Sequence, residues 1–528
     1  MDSYSVVIKK GRIVDGSGSP WFLGDVAVAG DRIAKVGALG EYEAEKVIDA
    51  EGLMVSPGFV DVHTHTDSSF IINPKADSKI RQGVTTEIAG NCGSSMSPVT
   101  DLGKSFASRR LEELGIEWDW YSVAEYLARL EKGGMPVNLG TLIGHGTVRS
   151  SVMGYEARAP SASELEDMKD LVDQGMKDGA FGLSTGIKYA PGVYADTSEI
   201  VELSKVVAKH GGLYATHIRN QGGKLIESID ESIVIGREAG CPVHIAHLKV
   251  KGRTNWGKSF NMLRVIDEAR DQGVDVTFDQ YPYVAASTGA FAITPKWARE
   301  GGMESFVERL KDPEERKKIE AGVTEQEDWT GSLKLLVCKF DPEPSYEGKS
   351  IAEIAEIRGK SREAAMCDLL LEARGLVPLI LFFGWDTDVE AIMKHHAMMV
   401  GSDGSSLAAY GPLGRGKPHP RNYGAFTRFL GKYVLREKIM SVEDGVRRMT
   451  SFPALRFGLE GRGALREGSY ADVTVVDPKT LIDTADFQDP HQYSEGVEYV
   501  LVNGTVAIEG GEYNGALAGR TLRHLGGK

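Results

Sequence analysis

The feature that most limits the fold is a repeated beat: a short apolar run, one or two polar residues closing it, then an amphipathic helix. Eight runs keep this beat. Residues 59–62 lead into His63-Thr64-His65, 85–89 into Gly90-Asn91-Cys92-Gly93, 137–143 into Gly144-His145-Gly146, and 180–183 into Ser184-Thr185-Gly186. Residues 213–216 lead into His217, 243–246 into His247, 274–278 into Asp279, and 398–401 into Ser402-Asp403-Gly404. Apolar runs of this length, rich in β-branched residues, read as buried strands. The helix after Ser161 shows what lies between them: a capping box with Glu164, a stripe at Leu165, Met168, Leu171 and Val172, and a stop at Gly179. Strand-then-helix units imply a parallel sheet, and eight of them imply an α/β fold closed into a (β/α)8, TIM-like barrel. A doubly wound open sheet is the other arrangement this alternation permits.

The two ends of the chain follow a different rule. Runs at 5–8, 13–14, 25–29 and 33–36 are separated by Gly11, Gly16 and Gly30, an all-β pattern. The pattern resumes at 470–477 and in a hairpin at 497–508 turned by Asn503-Gly504. One small β-sandwich built from both termini, or two separate appendages, would account for this. We take the sandwich, with parts at 1–57 and 457–528 flanking a barrel at 58–456. Within the barrel, residues 284–373 are too long and too charged for an ordinary connection and read as an insertion over the active-site mouth, or as a solvated excursion.

The bulk numbers exclude some partners. A 528-residue chain exceeds one ordinary core, and its formal charge of -14 disfavours nucleic acid and anionic membrane. No apolar run reaches membrane-spanning length and the N-terminus lacks a signal-peptide pattern. Four scattered cysteines suit reduced thiols. A cytoplasmic protein acting on a small molecule is expected.

Polar residues that follow barrel strands gather at one rim, where such enzymes build their sites. His63 and His65 lie two apart at a strand end, a spacing that sends both rings to one side. Cys92, His217, His247 and Asp403 close other strands. Thiolate, imidazole and carboxylate are the ligands zinc takes, so the set reads as a metal site with a position left for water. His244 reads as a core histidine, and His145 as a neighbour of the site but not a ligand.

Taken together, Pro57-Gly-Phe-Val-Asp-Val-His-Thr-His-Thr-Asp67, the split sandwich and Ser402-Asp403-Gly404 resemble the metal-dependent amidohydrolase superfamily. Gly90-Asn-Cys-Gly93, Leu142-Ile-Gly-His-Gly146, His244-Ile-Ala-His-Leu-Lys249, Asp279-Gln-Tyr-Pro-Tyr283 and Pro418-His-Pro-Arg421 are more discriminating. They are similar to the N-acyl-D-amino-acid deacylases, or D-aminoacylases. The resemblance implies one zinc held tightly by Cys92, His217 and His247, and a second, weaker site of His63, His65 and a bridging Cys92. It implies Asp403 as general acid/base, and Lys249, Tyr281, Ser287 and Arg421 as the grip on the α-carboxylate of an N-acyl-D-amino acid. Hydrolysis of a related amide (cyclic, or a dipeptide with a C-terminal D-residue) and a non-catalytic scaffold are the alternatives. For the side chain, Phe291 and Ile293 point to an apolar pocket, whereas Lys188 would meet an acidic group.

Overall fold

The computed structural model describes residues 2–107, 109–524 and 526. Both ends of the chain enter one sheet, of nine strands among the described residues. Met54–Pro57 is the junction: it runs parallel to Asp2–Ile13 and antiparallel to Val473–Val476. Phe22–Ala29 and Arg32–Gly37 extend one side, and Val497–Val502 and Thr505–Glu509 the other. Tyr42–Asp49, absent from the sequence reading, pairs parallel to Asp2–Ile13. Its residues alternate between exposed and partly buried, and its glutamates and lysine hide the strand pattern. The hairpin at Asn503-Gly504 has φ of 48° and 81°, the pair of left-handed residues that a type I′ turn requires. Val6, Ile8, Val26, Val28, Val473, Val475 and Leu501 form this sheet's own apolar layer.

The middle of the chain supplies the parallel strands. Phe59–Asp61, Val84–Ala89 and Asn138–Thr141 form one sheet. Ile143–Gly144, Gly182–Gly186, Leu213–His217, Val243–Ile245, Val276–Gln280 and Met398–Val400 form the other, in that order. Leu142 alone separates the two sheets along the chain, and its N–H donates to Ala89 O. Inward positions alternate along each strand. Leu213 and Ala215 share a closed apolar cluster with Val60, Ile88, Leu142 and Met399, so residues from both sheets meet. Tyr214, Val243 and Ile245 face outward into the layer of helices. The Ala162–Lys177 helix opens on Ser161 with both bonds of its capping box made.

The 284–373 segment is folded, not a loose excursion. Ala285–Gly289 pairs antiparallel with Pro378–Phe382, which pairs with Lys334–Val337, and the helices Gly302–Lys311, Pro313–Val323 and Arg362–Glu372 pack against one another. The sheet's middle strand therefore lies beyond residue 373. Among the described residues no helix is long and apolar enough to cross a membrane.

Candidate metal centre

Three residues at this centre hold an unusual backbone. Cys92, His247 and Asp403 have φ of 54°, 36° and 52°, three of the seven non-glycine residues with positive φ among those described. Left-handed backbone costs a side chain about 1–2 kcal/mol, and here it turns each side chain inward just past its strand. His247 shows the need. Strand pairing stops at Ile245, and the inward set contains His244, so simple alternation would send residue 247 outward. Cys92 is bracketed by glycines with no room for a side chain. A Cβ on Gly90 would lie 2.1 Å from Leu142 O, and one on Gly93 2.6 Å from Gly186 N. Asn91 ties the loop down by donating to Ile88 O and Val62 O.

The side chains converge. Cys92 Sγ lies 3.4 Å from His63 Nε2, 3.6 Å from His217 Nδ1 and 3.4 Å from His247 Nε2. Asp403 Oδ1 is 3.1 Å from His65 Nε2 and 3.5 Å from His63 Nε2. Two overlapping ligand groups result, His63–His65–Cys92–Asp403 and Cys92–His217–His247, each with its donor atoms within 4.8 Å of one another. A third such group, Asp267–His395–His396, lies elsewhere. Its His395 Nδ1 accepts the Ala397 N–H, so Nε2 carries the proton it directs at Asp267.

Behind the ligands stands a layer the sequence reading left unassigned. Asp279, fully buried, accepts from His63 Nδ1 at 3.0 Å, from His244 Nε2 at 3.0 Å and from the His247 backbone N–H at 3.0 Å. The bond from His63 Nδ1–H to Asp279 fixes the ring's orientation, with Nε2 facing Cys92. His244 is accordingly a hydrogen-bonded core residue. The Gln221 amide lies 3.2 Å from His247 Nδ1 with its Oε1 unpartnered. Turned over, that amide accepts the Nδ1 proton and leaves His247 Nε2 with its lone pair. Under the rim, Lys79 and Asp61 form a fully buried ion pair at 2.8 Å, and Asp61 also accepts the Ser402 N–H. Asp279 opens the string Asp279-Gln-Tyr-Pro-Tyr283 but was given no role there, and no short motif announced Gln221; the signal available was their place one strand along from a ligand.

Charge at the centre is arranged for a cation. Burial opposes the Cys92 thiolate, but His63 and His65 overcome it and hold the thiol below its usual range. Burial, then Lys249, keeps His217 and His247 neutral, so each has a lone pair to give. Burial also opposes the Asp403 carboxylate, and Arg421, with the hydrogen bond from His65, holds it well below the usual carboxylate range. Sulfur, nitrogen and carboxylate donors facing one another at these separations fit a divalent ion of zinc's ligand preference.

One cavity of about 490 Å³ opens on the centre, with His65, Cys92, His217, His247, Lys249, Ser287, Asp403 and Arg421 in its wall. Arg421 Nη1 donates to Asp403 Oδ2 at 2.6 Å, while its Nε is buried without a partner. His419 aims that arginine: its Nε2–H donates to Ala285 O and its Nδ1 accepts the Arg421 N–H. Tyr281 is placed behind the wall, its ring 5.1 Å from Lys249 Nζ and 5.0 Å from Arg421 Cζ, with its buried hydroxyl unpartnered. Lys249 reaches the cavity from irregular chain, four residues beyond the end of the Val243–Ile245 strand. Phe291 and Ile293 do not line it. Ile293 is buried, and Phe291 packs on Phe306 with ring centroids 5.1 Å apart, inside the core of the inserted segment. Lys188 is bound to Asp328, which also pairs with Lys251, so it is not a free cation. His145 meets Glu199 at 2.8 Å and is outside both ligand groups.

Fold and donor set together define a metal-site hydrolase architecture, and the chain belongs to the amidohydrolase family, whose profile matches residues 46–508. It is 36% identical to a D-aminoacylase of Alcaligenes xylosoxydans xylosoxydans over 98% of this chain and 97% of that one. It superposes on the N-acyl-D-glutamate deacylase of Bordetella bronchiseptica with a TM-score of 0.84, at 34% identity over 99% of this chain and all of that one. That structure holds zinc and a phosphonate inhibitor that mimics the tetrahedral intermediate. A D-aminoacylase with a binuclear metal centre, described by one-metal activation and second-metal attenuation, also superposes with a TM-score of 0.84. Its identity is 34%, over 98% of this chain and all of that one.

Proposed function

We propose that this protein hydrolyses the amide bond of N-acyl-D-amino acids to a carboxylic acid and a free D-amino acid, with zinc at Cys92, His217 and His247 and a weaker site at His63, His65 and Cys92. The observation that carries this is one cavity wall holding Cys92, three histidines and Asp403 beside Lys249 and the Arg421 guanidinium. When bound, the metal supplies Lewis acidity, polarising a carbonyl and bringing the pKa of water to about 7. The chain's own residues do the rest. Asp403 is the general base: its Oδ1, set between His63 and His65, takes a proton from the attacking water. As the carbon–nitrogen bond breaks, the same oxygen returns that proton to the departing amine. Arg421, with one edge on Asp403 and Nε unpartnered, offers the α-carboxylate a charge-assisted bond. Lys249 and Ser287 stand on the same wall, and the Tyr281 hydroxyl, kept protonated by burial, is a donor in reserve.

We also infer that the parallel strands of the two sheets close into a (β/α)8 barrel, Asn138–Thr141 and Ile143–Gly144 together making one of its eight staves. The apolar cluster joining Val60, Ile88 and Met399, and the bridge between Thr64 and Gly404, support closure across the first and last strands. The two-ended sheet is then a sandwich domain of 1–57 and 457–528 around a barrel of 58–456. All four cysteines are unpaired, which suits the reducing cytoplasm.

A panel of N-acetyl D- and L-amino acids, each scored for release of the free amine, tests the reading. Hydrolysis restricted to D-enantiomers is expected. Equal hydrolysis of a substrate and its α-carboxamide would favour the related-amide alternative.

A further inference from the structure

The cavity extends well past the ligands, and its far part differs in character from the carboxylate side. Met96, Val99, Phe106, Trp118 and Tyr155 line it there. Phe106 keeps 39% of its surface exposed, with its ring 4.9 Å from Tyr155. Its helix, Asp101–Ala107, is held hard against His145–Met153, since a Cβ on Gly103 would lie 2.4 Å from Ser151 Oγ. The hydroxyls along this wall are turned onto the backbone: Ser95 on Ser97 O at 2.6 Å, Thr147 on Ser95 O at 3.1 Å, Ser150 on Thr147 O at 3.0 Å. The wall therefore offers hydrocarbon contact more than hydrogen bonds.

Strand order gives this chamber a direction. Its residues follow Val84–Ala89, Ile143–Gly144 and, at Ala190 and Pro191, Gly182–Gly186. Lys249, Tyr281 and Asp403 follow Val243–Ile245, Val276–Gln280 and Met398–Val400, at the other end of the strand order. The ligand set joins the two groups: Cys92 follows the same strand as the chamber residues, and Asp403 belongs to the second group. In an N-acyl-amino acid the α-carboxylate and the acyl chain likewise leave the scissile carbonyl in opposite directions, and the amino-acid side chain stays on the carboxylate side.

We propose that the Met96–Val99–Phe106–Trp118–Tyr155 chamber is the subsite for the acyl group, and that it selects alkyl or aryl acyl groups larger than acetyl. This rests on the deacylase reading above. A cavity of about 490 Å³ is well within the range that small-molecule ligands fill. Each added methylene buried there raises binding about two- to fourfold.

The test is kcat/KM over two series: acetyl, butanoyl, hexanoyl, octanoyl and phenylacetyl on D-leucine, and acetyl on D-amino acids of rising size. The expected result is a rise of at least about tenfold from acetyl to hexanoyl. Val99→Phe and the exposed helical Ala107→Trp should each reduce the hexanoyl-to-acetyl ratio toward one without changing the order of the second series. A flat acyl series in an enzyme that hydrolyses every member overturns the acyl subsite alone. Variants that reorder the D-side-chain series instead would assign the chamber to the side chain and overturn it too. No hydrolysis of any member overturns the deacylase reading along with it.

Discussion

Asp403 and Arg421 face each other at 2.6 Å, and the proposed mechanism gives each a different part of the reaction. Asp403→Asn keeps the shape but removes the proton acceptor. Turnover should fall by about 10²–10⁴ with metal content unchanged, by single-turnover kinetics and metal analysis. A variant with near-normal turnover would remove Asp403 from its role. Arg421→Ala should lower kcat/KM on carboxylate substrates by about 2–4 kcal/mol, and by much less on the matching α-carboxamides. An equal loss on both would contradict the clamp. These residues were legible because each sits in a short, distinctive string. Asp279 and His419 sit in such strings too, but their roles were not legible, nor was that of Gln221. Asp279 and Gln221 act on residues far off in the chain, His419 is itself anchored by distant Ala285, and nothing local distinguishes a buried carboxylate that steers His63 from one that caps a turn.

At the scale of elements, the Val84–Ala89 strand carries a buried carboxylate that reports on packing near the rim. Glu87 accepts from the hydroxyls of Thr66 and Ser406, and burial pushes its pKa up to about 7 from an ordinary 4.5, with Lys79 pulling the other way. The folded state thus holds this proton more tightly than the unfolded chain does. Its stabilising contribution is complete below about pH 4.5 and is lost as pH rises through about 7. Glu87→Gln should remove about 3 kcal/mol of pH-dependent stability between pH 5 and 8, read from urea unfolding at the two pH values. An unchanged difference would contradict the assignment. The strands themselves were legible, because a run of β-branched residues buried on both faces is nearly unmistakable. Tyr42–Asp49 was not, since half its positions are solvated, and the chamber wall was not, since Met96, Phe106 and Trp118 are spread along one connection and Tyr155 comes from another.

At the scale of the molecule, the parallel strands bring donors from positions 63 to 403 together, and the two chain ends meet in a sheet of their own. Side-chain choice at any one strand end costs little by itself; six of them turned to one point, three on left-handed backbone, is an arrangement only a shared ligand rewards. The most direct measurement strips the metal with a chelator, then follows hydrolysis of an N-acyl-D-amino acid as zinc is added back. The account predicts an inactive stripped protein whose activity returns with the first equivalent of zinc, and no such return in Cys92→Ala. Full activity in the stripped protein, or full recovery without Cys92, would contradict it.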